Sequence, residues 1–181
     1  MGRSDHRPPH LAPTQPPPLS LPHPRTRWSR PGARAAPDHA SRVRELAAAP
    51  APAPGGPPAG GPAQVIVLRD GAELLDADEA EVAAAAEDLA AECDALVAAL
   101  SREWGRALPV DLRGHLERVA RGEPVPAPLD VLSGEVALLH VWRTRPARWV
   151  GVGTAEARPG VPPRLLACAG AGDRPTGAAG R

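Results

Sequence analysis

Lysine, asparagine, phenylalanine and tyrosine are absent from this 181-residue chain, and Ile66 is its single isoleucine. These residues share AT-rich codons, so a very GC-rich coding sequence accounts for the bias. The 21 arginines then reflect codon supply as much as any need for guanidinium groups. Cysteine is scarce too: Cys93 and Cys168 stand without a CxxC or other metal-ligand spacing. Both read as small core residues, and nothing demands a disulfide between them. No apolar run approaches the length of a membrane-spanning helix. The N-terminus lacks the apolar stretch of a signal peptide, and His6 stands where a myristoylation pattern wants Ser or Thr. These absences predict a cytoplasmic protein with no membrane attachment.

What is present is distributed unevenly. The formal net charge is zero, yet residues 1–60 carry eight arginines against three acids, and residues 76–104 carry nine acids against Arg102. Flexible charges in salt interact weakly, so the plain reading is a solvated basic tail and a solvated acidic helix face. Residues 1–62 also hold most of the prolines, in runs such as "RPPHLAPTQPPPLSLPHP" and "APAPAPGGPPAGGP". Proline fixes φ and removes a donor, so these runs favour extended, unpacked chain, and the segment is predicted to be disordered. An alternative is that translation starts further in. "PPPLSLP" has the form of a ligand for an aromatic groove, although linkers of this composition are commoner. Only "ASRVRELAAA", from Ala40, interrupts the segment as a short helix, which would need something to pack against.

One α+β domain is predicted over residues 63–170, with a disordered tail over 171–181. "QVIVLR" reads as a strand, and Asp70-Gly71 as a turn that would lead "AELL" into a hairpin. The stretch "DADEAEVAAAAEDLAAECDALVAALSREWG" reads as one long helix, capped by Asp76 or Asp78 and stopped by Gly105. Val82, Ala86, Leu89, Cys93, Leu96, Leu100 and Trp104 make its apolar stripe. That spacing suits packing on a sheet or, alternatively, a helical dimer seam, so the chain is expected to be a monomer or weak homodimer. "VDLRGHLERVARG" predicts a second, short helix with Leu112, Leu116 and Val119 as its apolar edge. "GEVALLHVWR" and "RWVGVGTA" form a hairpin, and "PRLLACAG" adds a strand or a helical turn. The expected architecture is a mostly antiparallel sheet on one long acidic helix.

No catalytic motif emerges. Ser133, His115, His140 and Asp130 supply the residue types of a hydrolytic triad, but "VLSGE" is not a nucleophile elbow. His6, His10, His23, His115 and His140 show no metal-ligand spacing, so neither metal nor cofactor is predicted. "GVG" at Gly151–Gly153 lacks the rest of a dinucleotide fingerprint and reads instead as a close backbone approach, by the long helix or Trp142.

Two surfaces remain. The hairpin places Trp142 and Trp149 beside Arg143, Arg145 and Arg148, the residue types that stack bases and hold phosphates. The competing reading puts both tryptophans in the core, in place of the missing Phe and Tyr, with the arginines solubilising the turn. The second surface is the acidic helix face, represented by Glu87, Asp88, Glu92 and Asp94. The strand, the acidic helix ending in "EWG" and the "W…RWVGVG" hairpin, over about Gln64 to Gly170, resemble small α+β proteins of GC-rich bacteria. More distantly they are similar to immunity-type proteins, which neutralise a toxin by binding it. That resemblance carries no catalytic residue and implies a binding role. The sequence thus predicts a non-enzymatic domain that binds a protein partner. Nucleic acid or a phosphate ligand on the hairpin is the alternative, and an enzyme without a recognisable motif is a further one.

Overall fold

The structure is a computed structural model and describes residues 35–49, 64–71, 74–75 and 77–176. Expectations for residues 1–34, 50–63 and 177–181, including "PPPLSLP", His6, His10 and His23, lie outside the described residues. The elements are α1 (Ala35–Ala48), β1 (Gln64–Asp70), α2 (Glu79–Trp104), β2 (Leu108–Asp111), α3 (Arg113–Ala120), α4 (Leu129–Leu132), β3 (Leu138–Arg145), β4 (Arg148–Ala155) and β5 (Arg164–Ala171). The strands form one antiparallel sheet in the order β1-β5-β4-β3-β2. This is the α+β architecture the sequence predicts.

Helix α2 connects the two edges of the sheet. Its 26 residues span about 39 Å at 1.5 Å per residue, ample to cross five strands about 4.8 Å apart. Asp78 is the cap: its Oδ1 accepts the Glu81 N–H at 2.9 Å, while the Glu81 carboxylate accepts the Asp78 N–H. Gly105, at φ +82°, ends the helix. Leu89, Cys93, Leu96 and Leu100 are buried as predicted, but at the N-terminal end Ala85 is buried and Ala86 is exposed. The stripe faces the sheet of its own chain, so it is not available as a dimer seam.

Within the segment assigned to disorder, the short helix expected at "ASRVRELAAA" is present as part of α1, and it contributes to the core. Ala40, Val43, Leu46 and Ala47 are buried, at the three- and four-residue spacing of one helical face. Arg42 extends from α1 to the edge of the sheet, donating to the Val67 and Leu68 carbonyls at 2.8 and 3.1 Å, where the β1–β5 register shifts. Those carbonyls are thereby satisfied at an edge that would otherwise present them to water.

Three further expectations change. After Gly71 the chain turns, with the Leu74 N–H donating to the Gly71 carbonyl at 2.8 Å and Leu74 buried, rather than continuing as a hairpin strand. "LPVD" is an edge strand that the sequence reading missed; an edge tolerates the missing N–H of Pro109. Helix α3 buries Leu112 at its start and His115 one turn on, leaving Leu116 45% and Val119 39% exposed, so the expected apolar edge points the other way.

The sheet has a different cover on each face. On one, α1 and α2 lie over Trp142, Val150, Val152, Leu165 and Ala167. On the other, α4 and the segments around it cover Val136, Leu139, Trp149, Leu166 and Cys168.

Candidate functional site

The Trp/Arg hairpin does not present its two rings on one surface. Register pairs Trp142 with Val150 and Arg143 with Trp149, so the two tryptophans point to opposite faces. Both are core residues, 1% and 3% exposed respectively, so neither is an exposed platform for stacked bases. Trp142 packs edge-to-face on Trp104, with ring centroids 5.9 Å apart, and its Nε1 donates to the Gly105 carbonyl at 3.1 Å. The end of α2 is thus bolted to the hairpin. Trp149 lies flat on Gly170, where any Cβ would fall within the indole ring. Core packing prevails because these two rings are the largest apolar groups available to a sheet without Phe or Tyr.

The arginines separate in the same way. Arg148 is buried, and its guanidinium donates to the Leu46 carbonyl at 2.9 Å, satisfying the C-terminal end of α1. Burial lowers its pKa from the ordinary arginine value. Arg148 is therefore a structural tie and not a phosphate contact. Arg143 is exposed and pairs with Asp173 at 2.8 Å. Arg145 is exposed on the turn.

Among the four acids proposed on α2, Glu92 is also corrected. It is buried, with one oxygen 2.8 Å from Arg69 on β1 and the other 2.8 Å from His39 on α1. The acid sits three residues after Leu89 and four before Leu96, inside the apolar arc, and that spacing was the available signal. It ties three elements together and faces no partner. Glu103 likewise pairs with Arg44 on α1 at 2.7 Å. By contrast Glu87 and Asp94, seven residues apart, lie exposed along one line of the outer helix surface, with Asp88 half-buried beside them. Neither Glu87 nor Asp94 makes an ion pair among the described residues.

The arrangement also contains a cleft that sequence reasoning missed. His115, Arg118, Pro126, Leu129, Trp149 and Arg174 are among the residues enclosing a cavity of about 310 Å³ on the face opposite α2. Its outer wall comes from residues 171–176, expected to be a frayed tail. Gly172 donates to the Ala147 carbonyl at 2.8 Å, and Asp173 takes up Arg143, which holds this wall against the hairpin. His115 is 94% buried by its 6% exposure, and its Nδ1 has no hydrogen-bond partner. Burial, and then the neighbouring Arg118 charge, lower its pKa below the ordinary histidine value.

Among the described residues no hydrogen bond between side chains joins Ser133, His115, His140 and Asp130. Ser133 is buried and directs its hydroxyl to the Asp130 carbonyl, three residues back in its own turn. Among the described residues there is no group of three His, Cys, Asp or Glu placed to hold a metal ion. No described helix is long and apolar enough to cross a membrane. Compared with known proteins, the chain matches no family model, no curated protein and no solved structure.

Proposed function

We propose that this protein is a non-catalytic binding domain that engages a basic protein partner through the outer face of α2. The observation that carries this reading is how the acids of one helix are divided. Glu92 and Glu103 are consumed by Arg69, His39 and Arg44, and Asp78 by the cap, whereas Glu87 and Asp94 project from a helix anchored at both ends and make no ion pair among the described residues. A rigid helix with uncompensated negative charge attracts cations and steers their approach. The residues around those acids, Ala83, Ala84, Ala90, Ala91 and Ala98, are exposed and small, so a partner can approach the helix closely.

The nucleic-acid alternative draws less support. Both stacking rings are buried, Arg148 serves α1, Arg143 is neutralised, and Arg145 is left as the hairpin's one exposed arginine without an ion pair among the described residues.

The test compares the full chain with its Glu87→Gln/Asp94→Asn variant, each exposed to extract from source cells and then measured by native mass. A stoichiometric protein adduct on the wild type, weakened in the variant and by added salt, is the expected result. An adduct of equal affinity on the variant refutes this face as the interface. A nucleic-acid adduct, or none, refutes the protein-binding reading.

A further inference from the structure

The cleft enclosed by His115, Trp149 and Arg174 has three properties that the packing of the fold does not account for. First, a buried imidazole nitrogen is left without a partner, which costs about 1–3 kcal/mol when nothing replaces its lost water. Second, the cationic side chains on its wall are unequally satisfied. Arg118 is already used, with Nε 3.2 Å from Glu123 and Nη2 donating to the Pro124 carbonyl at 2.7 Å. Arg174 is half-buried and has no ion-pair partner among the described residues. The Asp173 carboxylate cannot serve it as a built-in counter-ion, being 96% exposed and paired outward with Arg143. Third, the remaining lining offers an apolar patch of Trp149, Leu129, Pro126 and Pro175, with Asp173 and Thr176 at the outer wall.

A volume of about 310 Å³ lies at the small end of ligand pockets, which run from about 300 to 1,000 Å³. A cleft of mixed lining, with one apolar patch, one guanidinium without an ion-pair partner among the described residues and one unsatisfied ring nitrogen, matches a ligand with a small apolar body and a single planar anion. A guanidinium binds a carboxylate through two parallel N–H···O bonds, and a ring stacks on an indole in offset or edge-on geometry.

We propose that this cleft is a binding site for a small aromatic carboxylate, whose ring lies against Trp149 and whose carboxylate engages Arg174, with His115 completing the polar contacts. The site lies on the sheet face away from α2, so occupancy does not require the protein interface proposed above, and either can fail without the other.

The experiment is a titration of the full chain, ¹⁵N-labelled, with sodium benzoate, following the indole N–H signals of its four tryptophans. The expected result is a saturable shift of the Trp149 signal while that of Trp142, on the opposite face, stays in place. Benzyl alcohol, which keeps the ring and removes the charge, should bind about tenfold more weakly, and Arg174→Gln should weaken benzoate by a similar factor without affecting the alcohol. The proposal is overturned by a Trp149 signal that does not move up to about 20 mM benzoate, a concentration at which even a fragment with weak affinity registers. Benzyl alcohol binding as tightly as benzoate, or Arg174→Gln leaving benzoate unaffected, overturns the assigned chemistry. Inorganic phosphate shifting the same signal at equal concentration overturns it too, since it would reveal a general anion patch. The wild-type comparison of acid with alcohol stands even if Arg174→Gln fails to fold.

Discussion

The two faces of the sheet solve the same problem with different materials. The face under α1 and α2 is covered by two helices and contains buried charge: Glu92 bridges Arg69 and His39, and Arg148 reaches the end of α1. The other face lies under an eight-residue helix, a four-residue helix and irregular chain, and contains glycine where the first has charge. A Cβ at Gly151 would stand 2.8 Å from Leu139 Cδ2, and one at Gly153 would stand 2.8 Å from Val136 Cγ1. The "GVG" run therefore makes room for Leu139 and Val136, on the face away from α2, and not for that helix or Trp142. Long elements on one face leave a layer tied by charged contacts, and short elements on the other leave the cleft beside Trp149. Each candidate surface follows from the cover on its own side.

The comparison breaks most severely if α1 is removed. Truncation to residues 50–181 strips Val43, Leu46 and Ala47 from the core, each large aliphatic being worth about 1.5–3 kcal/mol on full burial, and leaves Glu92 and Arg148 short of a partner. We expect loss of cooperative unfolding or a fall of more than about 5 kcal/mol in urea denaturation, comparable to the total stability of a small domain. A folded, equally stable 50–181 fragment would show that α1 is an accessory to the helix face.

Next in size is Glu92→Gln, which removes the charge from two buried contacts at 2.8 Å. The Arg69 contact is a charged hydrogen bond, worth about 1.5–3 kcal/mol, so a loss of about 2 kcal/mol is expected, against less than about 0.5 kcal/mol for Glu87→Gln on the same helix. On the opposite face Gly170→Ala should cost about 1–3 kcal/mol, because the new methyl group occupies the space of the Trp149 ring. The indole must then leave its floor, and benzoate binding should fall with it. Equal effects of Glu92→Gln and Glu87→Gln in chemical denaturation would show that the buried cluster contributes nothing net.

Much of this layout was legible and some was not, for physical reasons. Helix α2 announced itself through a long stripe, a capping box and a terminal glycine, three local signals in agreement. Helix α1 was legible as a short helix in "ASRVRELAAA", but its proline-rich flanks concealed that it packs into the core through Ala40, Val43, Leu46 and Ala47. The apolar edge read on α3 was too short to set orientation; Leu112, fixed by the preceding strand, and His115 one turn later define the inward side. Of the candidate site residues, Trp142, Trp149, Arg148 and Glu92 went inside. Composition makes a Trp or an Arg look like a binding group, and only register and neighbours decide its face. The cleft was illegible because His115, Trp149 and Arg174 are distant in sequence and converge only through the sheet.

A smaller effect follows from the histidines, one on each face. Burial lowers the pKa of His115, with Arg118 adding to it, and burial also lowers that of His140, where Asp94 acts in the opposite sense. With folded values below the ordinary value of about 6.5, the unfolded chain takes up protons first as pH falls. Stability should therefore be flat above about pH 6.5 and decline below it through the folded values, as measured by urea midpoints. His115→Gln and His140→Gln should each flatten that decline, and an unchanged pH profile in both would remove these groups as its source.

The finest test uses the two cysteines, which report on opposite faces. Cys93 lies on α2 facing the sheet and Cys168 on β5 under the looser cover, with burial pushing both thiols up to about 12. Neither forms the reactive thiolate at neutral pH, so alkylation must wait for an opening event. Static burial ranks Cys168 as the slower, at 1% exposed against 5% for Cys93. The architecture predicts the reverse. Uncovering Cys93 requires α2 to lift from the sheet, breaking the Trp142–Gly105 bond and the Glu92 cluster, whereas Cys168 needs only the short segments around α4 to move. Labelling followed by mass spectrometry under native conditions should find Cys168 modified first, and benzoate, if it seals the cleft, should slow that modification selectively. Equal rates would mean that the two faces open only together, as one cooperative unit.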